Sequence, residues 1–295
     1  MRRQPGWAAG VLFESLDGAG YVILDESTRE MSWGVCSAAL GDTALPYQTD
    51  RVNTLEVSMT TGVPAAVSEL AMLNGANRAL VIDPDGSVEV IGFANVTAAG
   101  GASRTYTLGT LLRGQRGTES FTGGHVIGSL FLVIDEAIDR RLVPLAELDA
   151  LRHYKAVGRG GLLGEAPRKQ ITPTGRDIMP YRPVHLASNG NAWGTNITLS
   201  WIRQTRVGGA EWTDSFAGTP LGEDSEAYEL EILDGPGGAV LRTAIGIASA
   251  SFVYTTAMQA ADFMGAQTEL TFRVYQVSAQ VGRGFASEDT TVDVS

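Results

Sequence analysis

Hydrophobic and polar residues alternate along much of the chain, which is the two-residue period of β-strands. Leu55, Val57 and Met59 share one face of a predicted strand. Residues 78–93, RALVIDPDGSVEVIGF, predict two strands around a Pro- and Gly-containing turn. Residues 129–135, SLFLVID, predict a further short, buried strand. The first half of the chain is therefore expected to be β-rich.

Alternation returns after residue 180, in three segments with turn residues between them. The predicted inward-facing positions are Ile197, Leu199 and Trp201, then Tyr228, Leu230 and Ile232, and finally Leu270, Phe272, Val274 and Gln276. Several short strands within about 115 residues favour a β-sandwich. Glu229 and Glu231 fall on the opposite phase and are interpreted as solvated.

A helical pattern occurs in residues 65–75, AAVSELAMLNG, where Val67, Leu70, Ala71 and Leu73 are expected to share the buried side. Periodicity is weak in residues 146–179, which carry many glycines, prolines and basic residues. That segment is interpreted as a connector with at most one short strand, at 151–158. The prediction is thus a mainly β protein with few short helices and two β domains, 1–145 and 180–295.

Composition narrows the possible partners. The 295-residue chain has a net charge of −11 and no cluster of four Lys or Arg residues, which argues against nucleic-acid binding. No apolar run reaches about 18 residues, so no membrane span is predicted. The single cysteine, Cys36, lies among small and apolar residues and is expected to be buried and inert.

Motifs of known chemistry are missing from the sequence. His125, His153 and His185 lie in different segments and form no metal-binding spacing, and neither a nucleophile elbow nor a phosphate-binding loop occurs. A calcium loop starting at Asp83 would require Gly and Glu where Val88 and Ala94 stand, so a hairpin turn is favoured. No enzymatic activity, metal or cofactor is predicted.

Two binding alternatives stay open at this point. The acidic residues Glu223, Asp224 and Glu226 lie close together and suit either arginine partners or a cation. Of the five tryptophans, Trp33 and Trp201 are expected in cores. The other three flank glycine-rich loops, where an aromatic face is able to stack on a glycan: Trp7, Trp193 and Trp212.

The last domain resembles a fibronectin type III module. ITLSWIRQTR is similar to strand B with its core Trp201, YELEILD to strand C with Tyr228, and TFRVYQVSAQVGRGFASE to strand F and the start of strand G. Leu270 stands where such sandwiches often have the tyrosine of the tyrosine corner. The resemblance therefore implies a divergent sandwich.

A wider resemblance is carried by motifs that occur in order along the chain: GWAAGVLFESLDGAGY, MLNGANRALV, TLGTLLRGQRGTE, YRPVHL, SWIRQTRVGGAEW and VYQVSAQVGRG. Together they resemble the C-terminal part of the tail-tip proteins of long-tailed phages and gene transfer agents, called host specificity or baseplate hub proteins. That pattern usually has Arg where Gln115 and Gln204 stand. Because such proteins are usually much longer, this chain is expected to be a split-gene product or a segment.

The resemblance implies a structural component of the virion tail tip, made in the bacterial cytoplasm. It also implies a homotrimer, contacts with other tail-tip and hub proteins, and a host-surface glycan or receptor as a target. The alternative is a carbohydrate-binding or accessory β-sandwich module of a polysaccharide-acting enzyme, because similar sandwiches accompany such enzymes.

One short stretch, LLRGQRGTE at residues 111–119, is interpreted as a structural turn with an intersubunit contact. Gly114 and Gly117 permit tight backbone turns. Arg113 and Arg116 are expected to bind carboxylates or carbonyls of the same chain or of a neighbouring copy, through exposed ion pairs. Glu119 completes the predicted interface residues.

Overall fold

The computed structural model describes residues 9–43, 46, 48–138, 141–207 and 218–295. The chain divides into two compact units, and the boundary between them in the sequence lies between Pro173 and Thr174. Both units are built mainly from antiparallel strands, which confirms the mainly β prediction. The helices α1 and α2 cover Glu69–Leu73 and Thr256–Asp262.

Within its described residues, the first unit contains eleven strands in two sheets. Their bounds are β1 Gly10–Ser15, β2 Val22–Ser27, β3 Trp33–Cys36, β4 Thr49–Asp50, β5 Leu55–Thr61, β6 Arg78–Ile82, β7 Val88–Ala98, β8 Thr105–Gln115, β9 Leu130–Val133, β10 Arg152–Gly158 and β11 Arg168–Ile171.

The larger sheet of this unit closes on itself as a six-stranded barrel. Its strands follow the order β8-β5-β3-β9-β6-β7, and β7 also pairs with β8, while the short strand β4 pairs with β8 at Leu111 and Leu112. Closure removes the open edges that a flat sheet would expose. Leu55, Val57 and Met59 are buried in the barrel core, as their alternation predicted.

The smaller sheet of this unit has four strands in the order β11-β10-β1-β2, and every neighbouring pair is antiparallel. It corrects the interpretation of residues 146–179 as a connector, because β10 and β11 both come from that segment. β10 pairs with the whole of β1, from His153 to Gly158. The sequence pattern failed here because β11 is exposed along its length and β10 buries only His153.

Helix α1 lies within the predicted helical segment, and the hydroxyl of Ser68 caps its start by accepting the N–H of Ala71. The predicted buried side is wrong. Met72 is the buried residue of the helix, whereas Leu70 and Leu73 are exposed. With five residues, α1 is too short for periodicity to define a face.

The second unit is a sandwich of two sheets. Its strands are β12 Val184–Ser188, β13 Ile197–Ile202, β14 Tyr228–Leu233, β15 Val240–Ile247, β16 Ser251–Tyr254, β17 Glu269–Ser278, β18 Gly282–Ala286 and β19 Thr290–Asp293. One sheet has the order β12-β13-β16, and the other has β15-β14-β17-β18, with β19 also on β17.

The core of this sandwich lies between the sheets and contains the predicted inward residues of three strands. Trp201 of β13 packs edge-on against Tyr228 of β14, with ring centroids 5.2 Å apart. Leu270 is fully buried in the same core, at the start of β17. The fold is thus the two-sheet sandwich that the fibronectin type III resemblance implies.

Candidate functional site

The most concentrated polar chemistry of the described chain lies inside the barrel, around Arg113. This residue belongs to β8, and its side chain is fully buried. Its Nε and Nη2 donate to the two carboxylate oxygens of Glu89 on β7, at 2.8 and 2.9 Å. Such a bidentate, charge-assisted pair is the strongest kind of side-chain hydrogen bonding that arginine makes.

The remaining donors of Arg113 hold two loops against the barrel. Nη1 donates to the carbonyl of Gly41 at 2.8 Å and lies 3.5 Å from the carboxylate of Asp50. Nη2 also donates to the carbonyl of Thr122, whose hydroxyl donates to Asp42 at 3.1 Å. One guanidinium therefore joins β7 and β8 to segments that are distant in the sequence.

His125 extends the cluster on the other side of Glu89. Its Nε2 lies 2.6 Å from Glu89 and its Nδ1 lies 2.7 Å from Asp83, and the imidazole is fully buried. The hydroxyl of Ser129 donates to the second oxygen of Asp83. We call the set Asp50, Asp83, Glu89, Arg113, His125 and Ser129 the buried ionic cluster.

The charges of the buried ionic cluster favour a protonated His125. Burial alone would lower the pKa of His125, but its hydrogen bonds and ion pairs with Glu89 and Asp83 raise it. An imidazolium donates from both ring nitrogens, which matches its two carboxylate neighbours. Arg113 and the imidazolium then offset most of the charge of Asp50, Asp83 and Glu89.

Burial also acts on the pKa of Asp50, a member of the cluster, and on that of Cys36 near Asp83. Burial would raise the pKa of Asp50, but hydrogen bonds from Asn53 and Val52, together with Arg113, lower it. Burial, with a smaller effect of Asp83, raises the pKa of the Cys36 thiol to about 12. Cys36 is thus a buried thiol that stays protonated at neutral pH, in agreement with the expectation of an inert cysteine.

The arrangement of the buried ionic cluster is suited to stability rather than to chemistry. Both nitrogens of His125 are occupied by carboxylates, and the Ser129 hydroxyl donates to Asp83 and not to the imidazole. A nucleophile activated by histidine would need a direct hydrogen bond to that ring. All six members are also buried, and at most 8% of any of them is exposed.

The residues of the predicted interface stretch, 111–119, have different environments in the structure. Gly114 and Gly117 have positive φ values of 58° and 78°, the conformation expected of turn glycines. Gly114 also donates its N–H to Glu89 at 2.7 Å. The expectation that Arg113 forms an exposed ion pair is wrong, because β8 turns its side chain into the barrel, where its partners belong to the same chain.

Arg116 and Glu119 lie outside the buried ionic cluster. Arg116 is exposed and has a φ of 62°, and Glu119 begins a short 3-10 turn and is half-buried. An intersubunit contact at this surface stays a prediction for these two residues. The sequence offered one signal for the buried role of Arg113, its position directly after the apolar Leu111 and Leu112 within a strand pattern.

Two of the three clustered acidic residues of the second unit, Glu223 and Glu226, have arginine partners. Arg203 pairs with Glu226 at 3.0 Å and Arg206 with Glu223 at 3.3 Å. Glu231 is buried and pairs with Arg273 and Arg283, which corrects its interpretation as a solvated residue. Among the described residues, no group of acidic, His and Cys side chains forms a metal site.

Three of the five tryptophans lie in a core or pack against one, and the other two lie outside the described residues. Trp33 and Trp201 are buried, as expected. Trp193 packs edge-on against Phe263, with ring centroids 5.2 Å apart, and so contributes to the sandwich core. Trp7 and Trp212, the other candidates for glycan stacking, lie outside the described residues. Neither α1 nor α2 has the length of a membrane-spanning helix, and the described chain contains no other candidate.

A comparison with protein families gives one match. Residues 31–132 match the family described as Rcc01698-like, C-terminal, whose function is uncertain. The matched segment is about a third of the chain and runs from just before β3 into β9. It therefore coincides with the barrel and includes the whole buried ionic cluster. No curated protein sequence matches the chain.

His125 makes the barrel sensitive to pH in a defined direction. Because its pKa is raised on folding, its stabilising effect is complete below the unfolded value of about 6.5 and is lost as pH rises through the folded value. We expect the free energy of unfolding of the wild type to fall as the pH rises above about 6.5. Urea melts across this range should show a weaker dependence for His125→Gln.

The control for this prediction is His185→Gln, because His185 is an exposed residue of the second unit. It should retain the pH dependence of the wild type. An equal slope in the wild type and in His125→Gln would mean that His125 does not bind a proton on folding.

Proposed function

We propose that this chain is a structural component of the tail tip of a long-tailed phage or gene transfer agent, and that it contributes to tail-tip assembly and host-cell recognition. The proposal begins with the ordered motifs that resemble the C-terminal part of tail-tip proteins. The family match covers residues 31–132, the segment that forms the barrel, and that family is of uncertain function.

The observation that carries the proposal is that the hydrogen-bonding groups of the buried ionic cluster have partners within the chain. The hydrogen bonds of three members join them to one another and to loop carbonyls: Arg113, Glu89 and His125. Such a network makes a barrel rigid and leaves it without reactive groups, which suits a building block better than an enzyme. We therefore propose a non-enzymatic role, with no cofactor.

The second unit adds a feature that suits recognition. A β-sandwich holds its loops at the two ends of a rigid core, where they are free to contact a partner. We propose that these loops face other tail-tip and hub proteins, or a glycan or receptor of the host surface. In this account the chain acts as a homotrimer in the virion.

The proposal is tested by the solution state of the full chain together with glycan binding. Sedimentation velocity should show a trimer, or a complex once hub proteins are added. A monomer that binds polysaccharide without any partner protein would contradict the proposal and favour a carbohydrate-binding module. The Trp193→Ala variant is not a suitable probe for glycan binding, because this residue belongs to the sandwich core.

A further inference from the structure

The four-stranded sheet of the first unit has two edges of opposite charge. Within the described chain, β11 pairs only with β10 and β2 pairs only with β1, so both strands are edges. β11 reads RKQI and contributes Arg168 and Lys169, and all of its residues are exposed. β2 reads VILDES and contributes Asp25 and Glu26.

The order of residues along the two edges is complementary as well. β2 begins with the exposed apolar residues Val22 and Ile23 and continues into its acids. β11 begins with its basic residues and ends with the exposed Ile171. Antiparallel pairing of the two edges places apolar side chains opposite apolar ones and acids opposite bases in one register, whereas no parallel register does both.

The strand directions of the sheet permit such pairing between identical copies. All three neighbouring pairs in the order β11-β10-β1-β2 are antiparallel, so β11 and β2 of one chain run in opposite directions. Two copies placed side by side in the same orientation therefore bring β2 of one copy antiparallel to β11 of the next. A second chain is thus able to continue the sheet without being inverted.

The charges and side chains of the two edges limit the possible pairings further. The antiparallel register that places Ile171 opposite Ile23 also places Lys169 opposite Asp25 and Arg168 opposite Glu26. A contact between two copies of the same edge, β2 or β11, brings together only acids or only bases and gains no opposite-charge pair. The charges therefore favour the pairing of β2 with β11.

We propose that copies of this chain associate head to tail, with β2 of one copy paired antiparallel to β11 of the next. This contact uses two different surfaces, so its repetition closes into a ring when the rotation between copies allows it. The contact itself is argued from the sheet alone. Only the number of copies, three, rests on the proposed function.

Charge reversal at single exposed positions tests the contact in the full chain. Glu26→Lys and Arg168→Glu should each weaken self-association about tenfold in sedimentation equilibrium, because an opposite-charge cross-strand pair is replaced by a like-charge one. The double variant Glu26→Lys/Arg168→Glu exchanges the two charges of one cross-strand pair and should restore association. The control Glu269→Lys makes the same charge change at an exposed residue of the second unit and should have no effect.

Disulfide formation between introduced cysteines tests which residues of the two edge strands lie opposite each other. Ile23→Cys and Ile171→Cys in one chain should give disulfide-linked multimers under mild oxidation, while each single variant should not, since Cys36 is buried. Single charge reversals without effect, a double variant that stays dissociated, or a wild type that is monomeric at high concentration would each overturn the edge pairing. If the chain forms a trimer that these substitutions do not affect, the edge pairing is wrong and the proposed tail-tip function is not contradicted. If the edges pair but the chain is absent from tail tips, only the proposed function is wrong.

Discussion

Replacing Arg113 with Gln is expected to lower the free energy of unfolding of the first unit by about 3–5 kcal/mol, the usual loss when one partner of a buried ion pair is removed. Glu89 would lose its bidentate partner while remaining buried, and the carbonyls of Gly41 and Thr122 would lose donors. Chemical denaturation followed by circular dichroism measures the change.

Arg116→Gln is the matched control, because it makes the same substitution three residues away at an exposed side chain. Its unfolding free energy should stay within about 0.5 kcal/mol of the wild type, as is usual for surface substitutions. If both variants melt like the wild type, Arg113 does not stabilise the barrel. If Arg113→Gln instead folds normally and only fails to assemble, the intersubunit interpretation of this arginine is right.

Replacing Trp201 with Ala is expected to destabilise the second unit by about 3–5 kcal/mol, the range for emptying a large aromatic site in a core. Trp201 is buried between the two sheets and packs against Tyr228. The loss would remove apolar contact from both sheets at once. The measurement is the unfolding free energy of the second unit in a urea melt.

Ile202→Ala provides the control for Trp201, since Ile202 follows it in β13 and is half exposed on the opposite face. Its loss should stay below about 1 kcal/mol, because a side chain that is already hydrated has less transfer free energy to lose. A loss of similar size for both variants would show that the inward and outward faces of β13 have been assigned incorrectly.

Alternating patterns predicted the buried faces of the central strands well. Leu55, Val57 and Met59 in β5 and Ile197 and Leu199 in β13 are all buried. These strands face a core on one side and polar surroundings on the other, so the two-residue period is visible in the sequence. The turn between β6 and β7 was predictable for a different reason, because its Pro and Gly restrict the backbone.

The four-stranded sheet and the buried ionic cluster show where sequence patterns stop being informative. β10 buries only His153, and β11 is exposed throughout, so neither strand alternates. Glu89 and His125 are separated by 36 residues, and Arg113 and Glu89 by 24. Pairs of this kind are created by the closure of the barrel, which a local pattern does not contain.

Two further differences between the sequence-based predictions and the structure concern charged residues that are buried. The outward phase of Glu231 in its strand and the glycine-containing turn around Arg113 predict that both residues are exposed, and charged residues are rarely buried without partners. In each case the partners lie on neighbouring strands, Glu89 for Arg113 and Arg273 for Glu231. Pairing offsets the cost of burial, so the charged residue type alone was a poor guide to its position.

The central proposal is a place at the tail tip, and labelling of intact particles tests it most directly. Particles are isolated from cells that encode this chain and treated with gold-labelled antibodies against its second unit, then imaged by electron microscopy. We expect label at the end of the tail away from the capsid, and none on particles from cells in which the coding sequence is deleted. Label along the tail tube or on the capsid, or particles free of this chain that assemble and adsorb normally, would contradict the proposal.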